Sequence, residues 1–246
     1  MLRTLLVLLA ALLPAWAAAQ TLTVSAAASL ADALRETGRR FEAANPGVTL
    51  RWNFAASGVL VQQILQGAPA DVFLSADQVT MDRGIAGQAI DATTRRDIAR
   101  NALVMVAPAG SVAPRTLADL AQADVRRIAI GKPATVPAGR YARQALEAAQ
   151  LWAPLQPKLV PADNVRQVLD YVSRGEVEAG FVYGTDAALQ RERLRIVLTA
   201  SGHEPITYPA AAVAGSRHPA LARAFLAHLG TAESRAVFAR FGFGAP

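Results

Sequence analysis

Residues 22–43, LTVSAAASLADALRETGRRFEA, hold a strand, a junction of small residues and a helix in one uninterrupted run. Leu22 to Ala26 is a short apolar stretch suited to a buried strand. From Leu30, the residues Leu30, Ala33, Leu34, Thr37 and Phe41 recur at helical spacing. Asn45-Pro46-Gly47 stops that helix. Working outward, Val48, Leu50, Trp52 and Phe54 alternate through a second strand. A second helix starting near Ser57-Gly58 turns Leu60, Val61, Ile64 and Leu65 inward; Gly67-Ala68-Pro69 ends it, and Asp71 to Ser75 makes a short buried strand.

The same pattern continues downstream. Leu103 to Ala107 and Ile128 to Ile130 read as strands, with a turn over Gly131 to Pro137 and a helix from Ala138 to Ala149. Residues 165–173 make a helix with Val165, Val168, Leu169 and Val172 on its buried side, and Ala179 to Tyr183 is a strand. The last forty residues contribute one strand, Ala210 to Val213, and one helix, Ala220 to Leu229. Neither makes a domain alone, so the tail is expected to pack back against the first half. This alternation predicts an α/β protein with mixed, mostly parallel sheets in two lobes. Residues 20–101 with 204–246 form the first lobe and 102–203 the second, joined by two or three crossing segments with a cleft between them.

The N-terminus is separate from the fold. Arg3 precedes an apolar run from Leu5 to Leu13, and Pro14 leads into Ala17-Ala18-Ala19. That is the anatomy of a secretory signal peptide, with cleavage expected between Ala19 and Gln20. The run is too short for a spanning helix, which needs about 20 apolar residues. Of the 246 residues, none is cysteine, which leaves no thiolate chemistry and no cysteine-bound metal; without a lipobox cysteine, a free exported protein is expected over a lipid-anchored one. The net charge of +6 is almost all arginine, Lys132 and Lys158 being the lysines. The arginines are scattered among acids without an aromatic stacking row, which argues against nucleic-acid binding. They read as solvated helix faces that contribute some steering of anions.

The chemistry lies in a recurring junction: strand, small residues, a hydroxyl or open backbone amide, then helix. Ser29 follows Ala26-Ala27-Ala28, and Ser57 follows Ala55-Ala56. Ser29, with Asp32 three residues on, resembles a capping box, and Ser57 has the same option; for either serine alone, capping weighs more than ligand contact. Two such junctions in one lobe shift the balance, because helix starts expose unpaired amides and partial positive charge. The second lobe offers Val136-Pro137-Ala138-Gly139, with proline at a helix start where its missing N–H costs nothing. It also offers Asn164-Val165 and Tyr183, whose phenol faces the cleft or serves as a core ring with its hydroxyl at the surface. Thr185 or Asp186 reads as a cap for the helix that follows.

Ala26-Ala-Ala-Ser-Leu30, Gly67-Ala-Pro-Ala-Asp71, Ser75-Ala-Asp-Gln78, Val136-Pro-Ala-Gly139, Val182-Tyr-Gly184 and Arg240-Phe-Gly242 together resemble the periplasmic molybdate-binding proteins of bacterial ABC importers, over essentially the whole chain after residue 19. The resemblance implies the two-lobed type II periplasmic-binding-protein fold and no cofactor. It implies a ligand, molybdate or tungstate, held by neutral donors: the hydroxyls and amides of Ser29 and Ser57, the amides of Ala138 and Val165, and the Tyr183 phenol. It further implies permease and ATPase partners, a periplasmic location and a monomer. Where that family often runs several serines around the second junction, this chain has Ala56 and Gly58, leaving Ser57 as the hydroxyl there.

Other readings are a binding protein for sulfate, thiosulfate or a sulfonate, and a secreted serine hydrolase using Ser29 or Ser57 with His203, His218 or His228 as base. No nucleophile-elbow sequence surrounds either serine. His203-Glu204 and His218-Pro219 lack metal-ligand spacing. Tyr141, Tyr171, Tyr183 and Tyr208 are too dispersed to suggest a ferric site.

Overall fold

The computed structural model describes residues 20–112 and 114–246. The signal peptide expected over residues 1–19 lies outside them. From the N-terminus the chain forms β1 (Gln20–Ala27), α1 (Ala31–Ala44), β2 (Val48–Ala55), α2 (Ser57–Leu65), β3 (Val72–Leu74), α3 (Gln78–Ala86) and β4 (Arg96–Asn101). There follow β5 (Leu103–Pro108), β6 (Ile128–Gly131), α4 (Pro137–Ala148), α5 (Trp152–Leu155), β7 (Leu159–Ala162), α6 (Val165–Ser173), β8 (Ala179–Tyr183), α7 (Gly184–Ala188) and β9 (Leu194–Thr199). The tail adds β10 (Ile206–Ala212), α8 (Pro219–Leu229) and α9 (Ala232–Arg240).

Two five-stranded sheets result, ordered β2-β1-β3-β10-β4 and β7-β6-β8-β5-β9. β1 runs parallel to β2 and β3, and β10 antiparallel to β3 and β4. In the second sheet β6 is parallel to β7 and β8, while β5 is antiparallel to β8 and β9. The chain passes between sheets after β4 and again after β9, and the tail inserts β10 into the middle of the first sheet. The fold is therefore α/β with two lobes, each a mixed sheet flanked by helices. Among the described residues no helix is long and apolar enough to cross a membrane.

The expected central strands and the main helices are present, and their apolar faces are the core. Leu22, Val24 and Ala26 of β1 are fully buried, as are Leu30 and Leu34 under α1. The tail holds more than the single strand and helix expected, because α9 follows α8 after a cap in which the Thr231 hydroxyl accepts the Ser234 amide. Three strands absent from the sequence reading, β4, β7 and β9, are all sheet edges. Edge strands are half solvated and tolerate charge or proline, and β4 and β7 show it in Arg96-Asp97 and Pro161.

Candidate functional site

The first lobe brings two helix starts together at the C-terminal ends of parallel strands β1 and β2. Neither serine there caps its helix. Ser29 sits in a short 3-10 turn (Ala28–Leu30) ahead of α1, and neither that turn nor α1 has a side-chain cap. Ser57 is the first residue of α2, also without one. Asp32, expected to complete a capping box with Ser29, instead pairs with Arg166 of the other lobe at 2.9 Å. With the capping role gone, both hydroxyls are available for something else.

In the second lobe a turn over residues 132–136 brings the first turn of α4 back against the end of β6. A Cβ on Gly139 would lie 1.9 Å from the Gly131 carbonyl oxygen, so only glycine allows this approach. The contact places Val136, Pro137 and Ala138 at the cleft. The Asn164 side chain accepts the Gln167 amide at 3.1 Å and caps α6. The first-turn amides of Ser57, Ala138 and Val165 have no partner inside their own helices.

These elements close on one small cavity between the lobes. All five residues singled out from the sequence, Ser29, Ser57, Ala138, Val165 and Tyr183, line it. Ala27, Ala28, Ala55 and Ala56 keep the serine side open to the backbone, and Ala76, which the sequence reading did not assign, completes that wall. Among the described residues no charged side chain lines it.

The polar geometry leaves protons pointing inward. The Ala76 amide donates to the Ser57 hydroxyl at 3.0 Å, so the Ser57 proton is free for another acceptor. The Ser29 hydroxyl meets the Tyr208 hydroxyl at 3.2 Å. Tyr183 is 1% exposed, and its hydroxyl is buried with no hydrogen-bond partner among the described residues. It is thus neither a core ring with a surface hydroxyl nor a satisfied group. Leaving such a donor unmade costs about 1–3 kcal/mol, and a ligand acceptor in the cavity would recover it. Burial also pushes the Tyr183 phenol well above its ordinary pKa, so it stays protonated. Behind Tyr183, the Asp186 carboxylate accepts the Tyr183 amide at 3.4 Å and pairs with Arg166 Nε at 2.6 Å.

The lobes are closed around the cavity. Gly58 N–H donates to the Thr135 carbonyl at 2.9 Å, Arg166 reaches Asp32, and Arg140 of α4 pairs with the buried Asp77 at the start of α3. Each guanidinium is taken up by carboxylates rather than by the cavity. None of the histidines lines it: His203 meets the carbonyls of Glu204 and Ala200, and His228 that of Thr37. A wider cleft lined by Thr21, Arg51, Asp71, Arg217 and His218 lies at the opposite ends of β1 and β3. There Asp71 is satisfied by the Thr23 amide at 2.7 Å and the Ser216 hydroxyl at 2.6 Å, and Arg51 by the Thr23 hydroxyl at 2.9 Å.

Two α/β lobes shut on a small cavity walled by neutral donors define a solute-binding protein. The chain belongs to the bacterial extracellular solute-binding protein family, whose model matches residues 22–244. It is 39% identical to the molybdate-binding protein ModA of Escherichia coli over 90% of this chain and 88% of that protein. It is 34% identical to ModA of Haemophilus influenzae over 94% and 92% respectively. Among solved structures it is similar to the periplasmic molybdate-binding protein of Azotobacter vinelandii, with TM-score 0.79, 25% identity and 92% and 99% of the two chains covered. The sulfate-binding protein SubI of Mycobacterium tuberculosis shares the fold with TM-score 0.80 at 18% identity, covering 91% and 86%.

Proposed function

We propose that this chain captures molybdate, and with it tungstate, between its lobes and presents it to the permease and ATPase subunits of an importer. The observation that carries this is the unpartnered Tyr183 hydroxyl, buried in a wall that offers donors and no charge. Ser29 and Ser57 supply hydroxyls and amides, Ala138 and Val165 amides, and Tyr183 its phenol. Residues 20–101 with 204–246 move as one lobe and 102–203 as the other. Cleavage after Ala19 releases a monomer into the periplasm. The serines act as ligand donors rather than nucleophiles, as the absence of histidine from the cavity wall supports.

A fully deprotonated tetrahedral dianion has only acceptor oxygens, so a cage of donors satisfies it. Hydrogen phosphate would bring a proton with no acceptor to meet it and is rejected. Hydrogen bonds to a charged partner contribute about 1.5–3 kcal/mol each. Several together, less the desolvation of the ion, reach micromolar binding or better, about −8 kcal/mol. Molybdate and tungstate are nearly the same size and sulfate is smaller, so a closed cage holds sulfate with lengthened bonds. Isothermal titration of the protein starting at Gln20 tests this with molybdate, tungstate, sulfate and phosphate. Tungstate should compete strongly and sulfate weakly; equal affinities for sulfate and molybdate defeat the assignment.

A further inference from the structure

We propose that Tyr208 and Asn101 are positioning residues that form a one-way hydrogen-bond relay fixing the direction of the Ser29 proton, so that Ser29 presents a donor, not a lone pair, to the bound oxyanion. This rests on the reading of the cavity as an oxyanion site.

The direction follows from counting protons. Asn101 Oδ1 accepts the Ala102 amide at 2.9 Å, which fixes the side-chain amide with Nδ2 on the other side. Nδ2 then donates one hydrogen to the Thr185 hydroxyl at 2.9 Å and the other to the Tyr208 hydroxyl at 3.1 Å. A phenol that accepts from Asn101 has one proton left, and the Ser29 hydroxyl lies 3.2 Å away to take it. Ser29 has in turn one proton, and among the described residues its hydroxyl has no other partner. That proton faces the cavity, which Ser29 lines.

Nothing about this arrangement is loose. Tyr208 is fully buried, its ring edge-on to Phe243 at 5.4 Å and to Tyr183 at 5.8 Å. It sits where the β10–β4 pairing shifts register between Tyr208 and Pro209. Proline cannot donate to the ladder, and such irregularities re-aim the neighbouring side chain. Burial raises the Tyr208 phenol far above its ordinary pKa, so it remains a donor. Asn101 ends β4, at the first passage between the sheets, and its amide also holds α7 through Thr185. The residue at the crossing therefore sets a hydroxyl in the site. Tyr208 and Ser29 are 179 positions apart in sequence, and Tyr208 lies behind the cavity wall without lining it.

A double-mutant cycle read by isothermal titration with sodium molybdate tests the relay, using Ser29→Ala, Tyr208→Phe and the double variant, with thermal unfolding to verify folding. Ser29→Ala should weaken binding at least tenfold and Tyr208→Phe about fivefold to thirtyfold. The double variant should bind no more weakly than Ser29→Ala alone, because Tyr208 acts only through Ser29; a merely structural role gives losses that multiply. Asn101→Asp, nearly isosteric, replaces the donor by an acceptor, turns the Tyr208 proton away from Ser29 and should weaken binding in the same Ser29-dependent manner. It keeps the relay testable should Tyr208→Phe fail to fold. Wild-type affinity in Tyr208→Phe alongside an impaired Ser29→Ala, or losses that multiply, overturns the relay alone. A wild-type chain that binds no molybdate overturns the reading of the site and the relay with it.

Discussion

Replacing Tyr183 by phenylalanine removes one oxygen and nothing else, which makes it the sharpest probe of the cavity. The ring is held edge-on to Tyr208 at 5.8 Å and is almost wholly buried, so packing survives the change. Among the described residues the hydroxyl has no partner, so its removal relieves a desolvation cost instead of breaking a bond within the protein. With the dianion present the same hydroxyl is a donor to charge. Among the described residues, only Ser29, Ser57 and Asn164 offer another polar side chain at the cavity. The loss on binding should be about 1–3 kcal/mol, a fivefold to 150-fold weaker molybdate affinity. The ligand-free variant should melt no lower than the parent. Calorimetric titration and thermal unfolding read the two quantities separately. Unchanged affinity removes Tyr183 from the site; lost affinity with an equally lowered melting temperature means the hydroxyl was structural and refutes the argument.

Gly58→Ala would place a methyl 2.6 Å from the Thr135 carbonyl oxygen and 2.8 Å from its Cα, forcing the lobes apart. Affinity should drop at least tenfold while ligand-free stability stays within about 1 kcal/mol, and small-angle scattering with saturating molybdate should show incomplete closure; full closure and full affinity count against it. Arg140→Met removes the interlobe partner of buried Asp77, leaving an uncompensated charge at a cost of about 3–5 kcal/mol to the closed state. Arg140→Met with Asp77→Asn should recover much of the lost affinity, and equal affinities in the two variants would show the pair is unimportant. Burial outweighs the pull of Arg166 and raises the Asp186 carboxyl to about 6. The folded chain then keeps a proton that the unfolded chain sheds near pH 4, so this group's stabilisation is complete below that and lost as pH rises through about 6. Relative to Asp186→Asn, the parent should lose about 3 kcal/mol of unfolding free energy across that window, and parallel chemical-denaturation profiles would contradict it.

What the sequence reveals depends on how local the physics is. β1, β3, β6 and β8 announce themselves by apolar runs, β2 by alternation, and α1 and α6 by one buried face. The junction residues are legible for the same reason: small residues between a strand and a helix start occupy one short segment. Edge strands carry weaker signals, and the 3-10 turn at Ser29 replaces the cap that local pattern favours. The partners that explain the serines are remote. Ala76 holds Ser57 from 19 positions away and Tyr208 holds Ser29 from the tail, so no periodicity or spacing points to them. The interlobe pairs of Arg140 and Arg166 are invisible in the same way, since a scattered arginine reads as solvated until a second lobe is laid over it.

The placement of those two arginines bears on how a doubly negative ion can be held without a cation in contact. Arg166 lies between Asp32 and Asp186, and Arg140 against Asp77, so each guanidinium arrives with its charge already balanced. They fasten the lobes to each other and not to the ligand. The field at the cavity then comes from helix starts in both lobes, whose partial charges fall off within a turn. Such a field acts only when the lobes are together, because the proposed donors come from both lobes. Opening therefore weakens the hold on the ion through geometry alone, with no salt bridge to the ligand to break. An arginine inside the cavity would stay with the ion through opening and oppose release to the importer. A cage of neutral donors with charged latches outside it suits a protein that must bind tightly when closed and let go when opened.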